Sequence, residues 1–335
     1  MDFFQLLSDL EKADPEFLDR INPRRRVFKY LGNAGQKITT AAVPAVLASF
    51  FNRAYGQTSA TLTAPVQAVL TLALQLEYLE YHFYNTALSI TGLVPSQEVQ
   101  AITTIRNDEA GHINALRGVL GTSAPAPYLV TDFDYSGGSG TGNGPMKNAL
   151  IPNSTGNTNG ALFFAAGQAF SDTGQRAYKG GAPVLNTAAT KDILEAALNI
   201  HSVEARHNSH FRTVRRALVA NTLGSAGAPA VSPYDAAPKS WISLVDNNGP
   251  TAPDGTKPAA KVYGAGTPAT GTPDASYPAD DNTTQAGVNL LTGLGTTYTA
   301  TQVSEAFDEP LDPATVKSIA LMFTSTTGKA KGLFM

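Results

Sequence analysis

The chain has 335 residues, 42% of them hydrophobic and 15% charged, which is enough apolar content to bury the core of one large domain or two modest ones. A net charge of -3 without any long Lys/Arg run excludes nucleic acid as the main partner, because phosphate binding needs a concentrated basic stripe. Cysteine is absent, which rules out thiolate metal sites, iron-sulfur clusters and disulfides and leaves any metal to His and carboxylate ligands.

Residues 1–60 form an N-terminal segment in which Arg24-Arg25-Arg26-Val27-Phe28-Lys29-Tyr30-Leu31 precedes a mildly apolar run, Ile38 to Phe51. That order resembles a twin-arginine export signal and predicts a periplasmic or extracellular protein. The apolar run is too short for a stable transmembrane span. Pro44 interrupts it, and the preceding residues have a helical pattern of their own (Phe3, Leu6, Leu7, Leu10), so the alternative is an amphipathic arm that stays on the fold.

Residues 61–222 carry four helical patterns. The first runs from about Thr63 to Ser89 and the second from Ser96 to Leu120, with Pro65 and Pro95 at the starts and Gly92 and Gly121 at the ends. A short turn between them makes them antiparallel. About forty residues rich in Gly, Ser, Asn and Pro then read as a long crossover anchored by Tyr128, Phe133 and Tyr135. A third helix is expected near Ala161 to Tyr178 and a fourth from Thr187 to Asn221. Two hairpins joined by one long connection make an all-α four-helix bundle of the ferritin-like type. Residues 223–335 are expected to be an irregular Gly/Pro-rich appendage: from Val245 to Ala300 six prolines and eight glycines break any helical period. A short closing helix around Thr315 to Phe323 should pack back on the bundle.

Acids on the inward faces are the main chemical signal. On a 100° wheel, Glu109 and His112 share the second helix's apolar arc with Ile102, Ile105 and Leu116. Glu204 and His207 share the fourth helix's arc with Ile193, Ala197, Ile200 and Phe211. A Glu-x-x-His spacing sets both side chains side by side on consecutive turns. An ionised carboxylate facing a core costs several kcal/mol unless a positive partner meets it, and a metal ion is the simplest partner. In the first helix, Glu77, Glu80 and Tyr84 lie along one edge of the arc.

The runs LEYLEYHFY, DEAGH, AYKGGAPVL, IHSVEARH and AFDEPL occur in that order and together resemble the ferritin-like superfamily, particularly its exported members sometimes called desiccation-related. The resemblance covers about Thr63 to Leu218 and the terminal AFDEPL piece. It implies a dinuclear iron or manganese site with Glu77 as a terminal ligand, Glu109 and Glu204 as bridges, and His112 and His207 as imidazole ligands. It also implies a glutamate seven residues before Tyr178, where this chain has Ser171, which puts the occupancy of one metal position in question. Asp172, next door, points about 100° away and joins the ligands only if the helix shifts locally.

His201 and His210 flank the fourth helix's pair and are expected to support it from outside or to lie at the surface. Glu80 is expected as a partner for an imidazole or for Arg206 rather than as a ligand. No nucleophile with a base partner, phosphate-cradling loop or dinucleotide fingerprint is present. Two functions follow: a di-metal oxidoreductase acting on dioxygen or peroxide, or a metal-binding or stress-protective envelope protein without turnover. Metal ions are the expected partners. A homo-oligomer is left open, though the N- and C-terminal additions disfavour a closed storage cage.

Overall fold

The computed structural model describes residues 62–154, 157–220, 222, 239–245, 260–267, 276–293 and 298–335. The twin-arginine-like stretch lies outside the described residues. Four long helices dominate: α1 (Ala64–Ser89), α2 (Val99–Leu120), α3 (Ala161–Leu185) and α4 (Lys191–Val219). α1 packs on α2 and α3 on α4, and the two hairpins meet through α1 against α3 and α2 against α4. This is the all-α bundle expected from the apolar periods.

The ends are set by local chemistry. α1 begins with Pro65 in its first turn, where its missing N–H costs nothing. α2 starts at Val99 and not at Ser96, because Pro95 to Glu98 form a turn closed by the Glu98 N–H on the Pro95 carbonyl, 2.9 Å. α3 begins after Gly160, which is left-handed at φ 74°, and the Asn157 side chain accepts from the Leu162 and Phe163 N–H groups at 3.0 and 3.1 Å. α4 opens at Lys191, later than Thr187, with Asp192 in its first turn.

α3 runs seven residues past the end expected at Tyr178. Gly180 and Gly181 look like a helix stop, but here they admit neighbours. A Cβ at Gly180 would stand 2.0 Å from the Leu311 carbonyl oxygen, and one at Gly181 2.7 Å from Val69 Cγ1. The glycines let the C-terminal strap and α1 approach the helix backbone.

The C-terminal region contributes the short helices α5 (Ala260–Tyr263), α6 (Leu290–Gly293), α7 (Ala300–Ser304), α8 (Pro313–Ala320) and α9 (Thr326–Ala330), with a two-stranded ribbon of β1 (Thr284–Gln285) and β2 (Val288–Asn289). α8, capped by the Asp312 carboxylate, packs on α1 and α3 and buries Val316, Ile319 and Ala320 in the same core as Phe83, Phe163 and Phe211. The chain after it pairs with the crossover through Phe133 and Thr324. No described helix is long and apolar enough to cross a membrane.

Candidate metal centre

Four helices aim polar side chains at one point in the bundle. α1 supplies Glu77 and Glu80, α2 Glu109 and His112, and α4 Glu204 and His207, all buried. α3, enclosed on nearly every side, contributes Ser171, Gly174 and Tyr178.

Ligand atoms of Glu77, Glu109, His112 and Glu204 all lie within 4.8 Å of one another. His112 Nδ1 stands 3.0 Å from Glu77 Oε2, 3.1 Å from Glu109 Oε2 and 3.5 Å from Glu204 Oε1. His207 Nδ1 stands opposite, 3.1 Å from Glu109 Oε1 and 3.7 Å from Glu204 Oε2. Each of the two glutamates thus turns one oxygen to His112 and the other to His207. That is the disposition of a carboxylate able to bridge two ions.

The donor set also fits a metal by what it leaves unpaired. Glu109 Oε1, both Glu204 oxygens and His207 Nδ1 are buried without a hydrogen-bond partner. Buried polar atoms are nearly always satisfied, so four that converge on one point without a well-aligned hydrogen bond fit a site that a cation would complete. Hard oxygens with two imidazoles suit iron or manganese.

Surrounding groups orient these side chains. His207 Nε2 pairs with Asp108 Oδ2 at 3.1 Å, which fixes the ring so that Nδ1 faces inward. Tyr178 donates to Glu77 Oε1. Tyr84 donates to Glu80 Oε2 at 2.6 Å, and Ser171 Oγ donates to the same oxygen at 3.1 Å.

Crowding of acids in a dry space shows in their protonation. Burial pushes Glu204 up to about 8, helped by the charge of Glu109. Burial pushes Glu109 up to about 7 against the pull of His207. Burial and the charge of Glu204 raise Glu80 well above the carboxylate range. Glu77 goes the other way: burial raises it, but the His112 charge and hydrogen bond outweigh burial and hold it low. Burial disfavours a charged His112, yet Glu77 and Glu109 carry it well above the imidazole range.

The five residues implied as ligands come together here, whereas the other histidines do not. His82 bonds the Tyr128 carbonyl at 3.0 Å, His210 pairs with Glu98 at 2.8 Å, and partly buried His201 lies near Lys179 and Asp308. Asp172 turns away to Arg212 and the Tyr263 hydroxyl, so α3 keeps its register and Ser171 faces the centre. Glu80 does not meet Arg206, which is exposed; it lies inside, among Tyr84, Ser171 and the other acids. Asp108 was missed by sequence reasoning, because a half-exposed acid beside a core glutamate looks like an ordinary surface charge.

Residues 66–217 match the family model of the ferritin-like domain. No curated protein and no solved structure matches the chain. Every residue of this centre lies within that matched stretch.

Proposed function

We propose that the protein binds a pair of iron or manganese ions between His112 and His207 and acts in oxidative or metal stress outside the cytoplasm. The observation that carries the reading is the double presentation of Glu109 and Glu204, each with one oxygen toward either imidazole. Bound there, such ions would supply one-electron redox capacity toward dioxygen or peroxide. The chain's own residues do the rest: the carboxylates and imidazoles hold the ions, Asp108 and Tyr178 fix His207 and Glu77, and the buried aromatic residues around them exclude water. An apolar cavity lined by Leu72, Leu76, Ala177 and Leu311 has Tyr178 in its wall and offers a small apolar reagent an approach from the α8 side. Export is supported by the order of the arginines and the apolar run, and mass analysis of the N-terminus in a periplasmic fraction tests it.

Metal analysis of the purified protein beside Glu109→Ala/Glu204→Ala tests the centre. Two ions per chain in the first and none in the second support the proposal; no specific metal in either removes it. A second reading has its own observation: His112 already hydrogen-bonds Glu77 and Glu109 at 3.0 and 3.1 Å, so a charged imidazole and protonated acids can satisfy part of the centre without metal. In that reading the bundle is a stress-protective scaffold. Turnover of peroxide by the iron- or manganese-loaded protein separates the two.

A further inference from the structure

The domain carries an internal repeat. Glu77 and Tyr84 in α1 correspond to Ser171 and Tyr178 in α3, and the Glu109/His112 pair in α2 corresponds to Glu204/His207 in α4. Tyr178 crosses from α3 to donate to the terminal carboxylate Glu77. By the same relation Tyr84 should donate to a carboxylate at position 171. A serine stands there, and its hydroxyl lies 3.4 Å from that of Tyr84. Tyr84 instead donates to Glu80 Oε2, and the Ser171 hydroxyl donates to that same oxygen, so two hydroxyls pin one side of the Glu80 carboxylate.

The other side faces the centre. A Cβ on Gly174 would lie 3.3 Å from Glu80 Oε1 and 3.5 Å from Glu204 Oε2, so those two oxygens look onto the same small patch of α3, kept clear by the glycine. Beside it are Glu204 Oε2 and His207 Nδ1, 3.7 Å apart. Glu80 is 3% exposed, and its polar contacts among the described residues are hydroxyls, with no Arg or Lys to balance an ionised carboxylate.

We propose that Glu80 is the terminal carboxylate of the His207-side metal position, supplied by α1 in place of the absent glutamate of α3, with Ser171 and Tyr84 as the residues that aim it. This rests on the two-ion reading above. Four carboxylates then face two imidazoles, and two divalent cations bring the ionised centre to neutrality. A ligand is not missing from this domain; it has moved to the opposite helix, and the serine is what makes room for it. A glutamate at 171 and one at 80 would compete for the same space.

The test counts manganese(II) bound by the full chain at equilibrium and follows its electron paramagnetic resonance. The unchanged protein is expected to bind two ions. Glu80→Ala is expected to keep the His112-side ion and to weaken the other about a hundredfold, at the upper end of what losing a supporting or ligating group costs. Ser171→Glu placed in that background is expected to restore the second ion, while Ser171→Ala alone is expected to weaken the His207-side ion about tenfold, because Glu80 then loses one of the two hydroxyls that aim it. Two ions with unchanged affinity in Glu80→Ala overturn the proposal and leave the two-ion reading standing; no ion in the unchanged protein overturns that reading instead. Should Glu80→Ala not fold, crystals of the unchanged protein soaked in manganese(II) decide. An anomalous peak about 2.2 Å from a Glu80 oxygen supports ligation, and a peak beyond hydrogen-bond distance overturns it.

Discussion

Ser171 and Asp172 are neighbours on α3, yet they face two buried polar clusters built on opposite principles. Asp172 meets the Arg212 guanidinium, both fully buried, together with the Tyr263 hydroxyl. One turn on, the buried Arg176 holds Asp280 at 3.3 Å and donates to the carbonyls of Glu309, Gly264, Pro278 and Pro310 at 2.9 to 3.2 Å. There the chain supplies its own cations, and they fasten the C-terminal segments to the bundle. On the Ser171 side the acids outnumber the imidazoles, and arginine is absent among the described contacts. The contrast teaches that inward-facing acids alone do not mark a metal centre. Acids without a resident counter-charge do.

Arg212→Leu has the largest expected effect on the arginine-balanced cluster. It strands Asp172 in the interior and is expected to cost about 3–5 kcal/mol, whereas Asp172→Leu/Arg212→Leu recovers much of the loss because no lone charge remains. Denaturant unfolding measures both. Manganese(II) is expected to leave that difference unchanged, since the Asp172 cluster is separate from the ligands. A loss of the second metal ion in Arg212→Leu with the fold intact would join the two clusters that the geometry keeps apart.

Next in size is the effect of metal itself. At a free concentration about a hundred times the dissociation constant, binding to the folded state adds about 2.7 kcal/mol. The protein should therefore melt several degrees higher in manganese(II) than in chelator. Glu109→Ala/Glu204→Ala should show no such rise.

The two clusters also respond to pH. Glu109 and Glu204 titrate near 7 and 8 in the folded chain against about 4.5 when unfolded, so between those values the folded state holds more protons. Their contribution is fully present below about 4.5 and is lost as pH rises through 7 to 8. His112 and His207, both raised, add to the same fall above their ordinary range. The metal-free protein should accordingly lose stability from pH 5 to pH 8, and metal affinity should rise over the same interval as protons leave the ligands. Asp280, pushed up to about 7 by burial in spite of Arg176, contributes a share of the slope that metal does not remove. Melting temperatures at several pH values, with and without manganese(II), separate the shares. A flat metal-free profile would mean that the acids of the centre are already balanced.

How much of this was legible in the sequence depends on what each feature requires. The helical period and the Glu-x-x-His spacing are local, so the four helices and the inward direction of Glu109, His112, Glu204 and His207 could be read from the wheel. So could Asp172 pointing away from Ser171, while Glu77, at the edge of its arc, was singled out by the family resemblance. What a wheel cannot give is which residue waits across the gap. Glu80 sat at the edge of its arc, and only the contacts of its carboxylate with Tyr84, one turn along α1, and with Ser171 on the facing α3 show that it turns inward. Arg212 and Tyr263 meet Asp172 from 40 and 91 residues away, and Gly180 owes its place to Leu311 rather than to any turn. These are consequences of packing between elements, on which the local pattern is silent.

Asp108 gives the smallest and most discriminating test. Its carboxylate is 41% exposed and touches no ion in the proposed arrangement, but it fixes His207 through Nε2. A carboxylate behind a metal-binding imidazole orients the ring and strengthens the inward nitrogen as a donor, and its loss commonly costs about tenfold in affinity. Asp108→Asn keeps the shape and one hydrogen-bonding oxygen while removing the charge. It should weaken the His207-side ion about tenfold, spare the His112-side ion, and leave the arginine-balanced cluster and the melting temperature in chelator nearly unchanged. Equal weakening of both ions would show that the bridging glutamates couple the two positions too tightly to be treated apart. No weakening at all would mean that packing against α2 holds the ring of His207 in place, and that the exposed acid is only a surface charge after all.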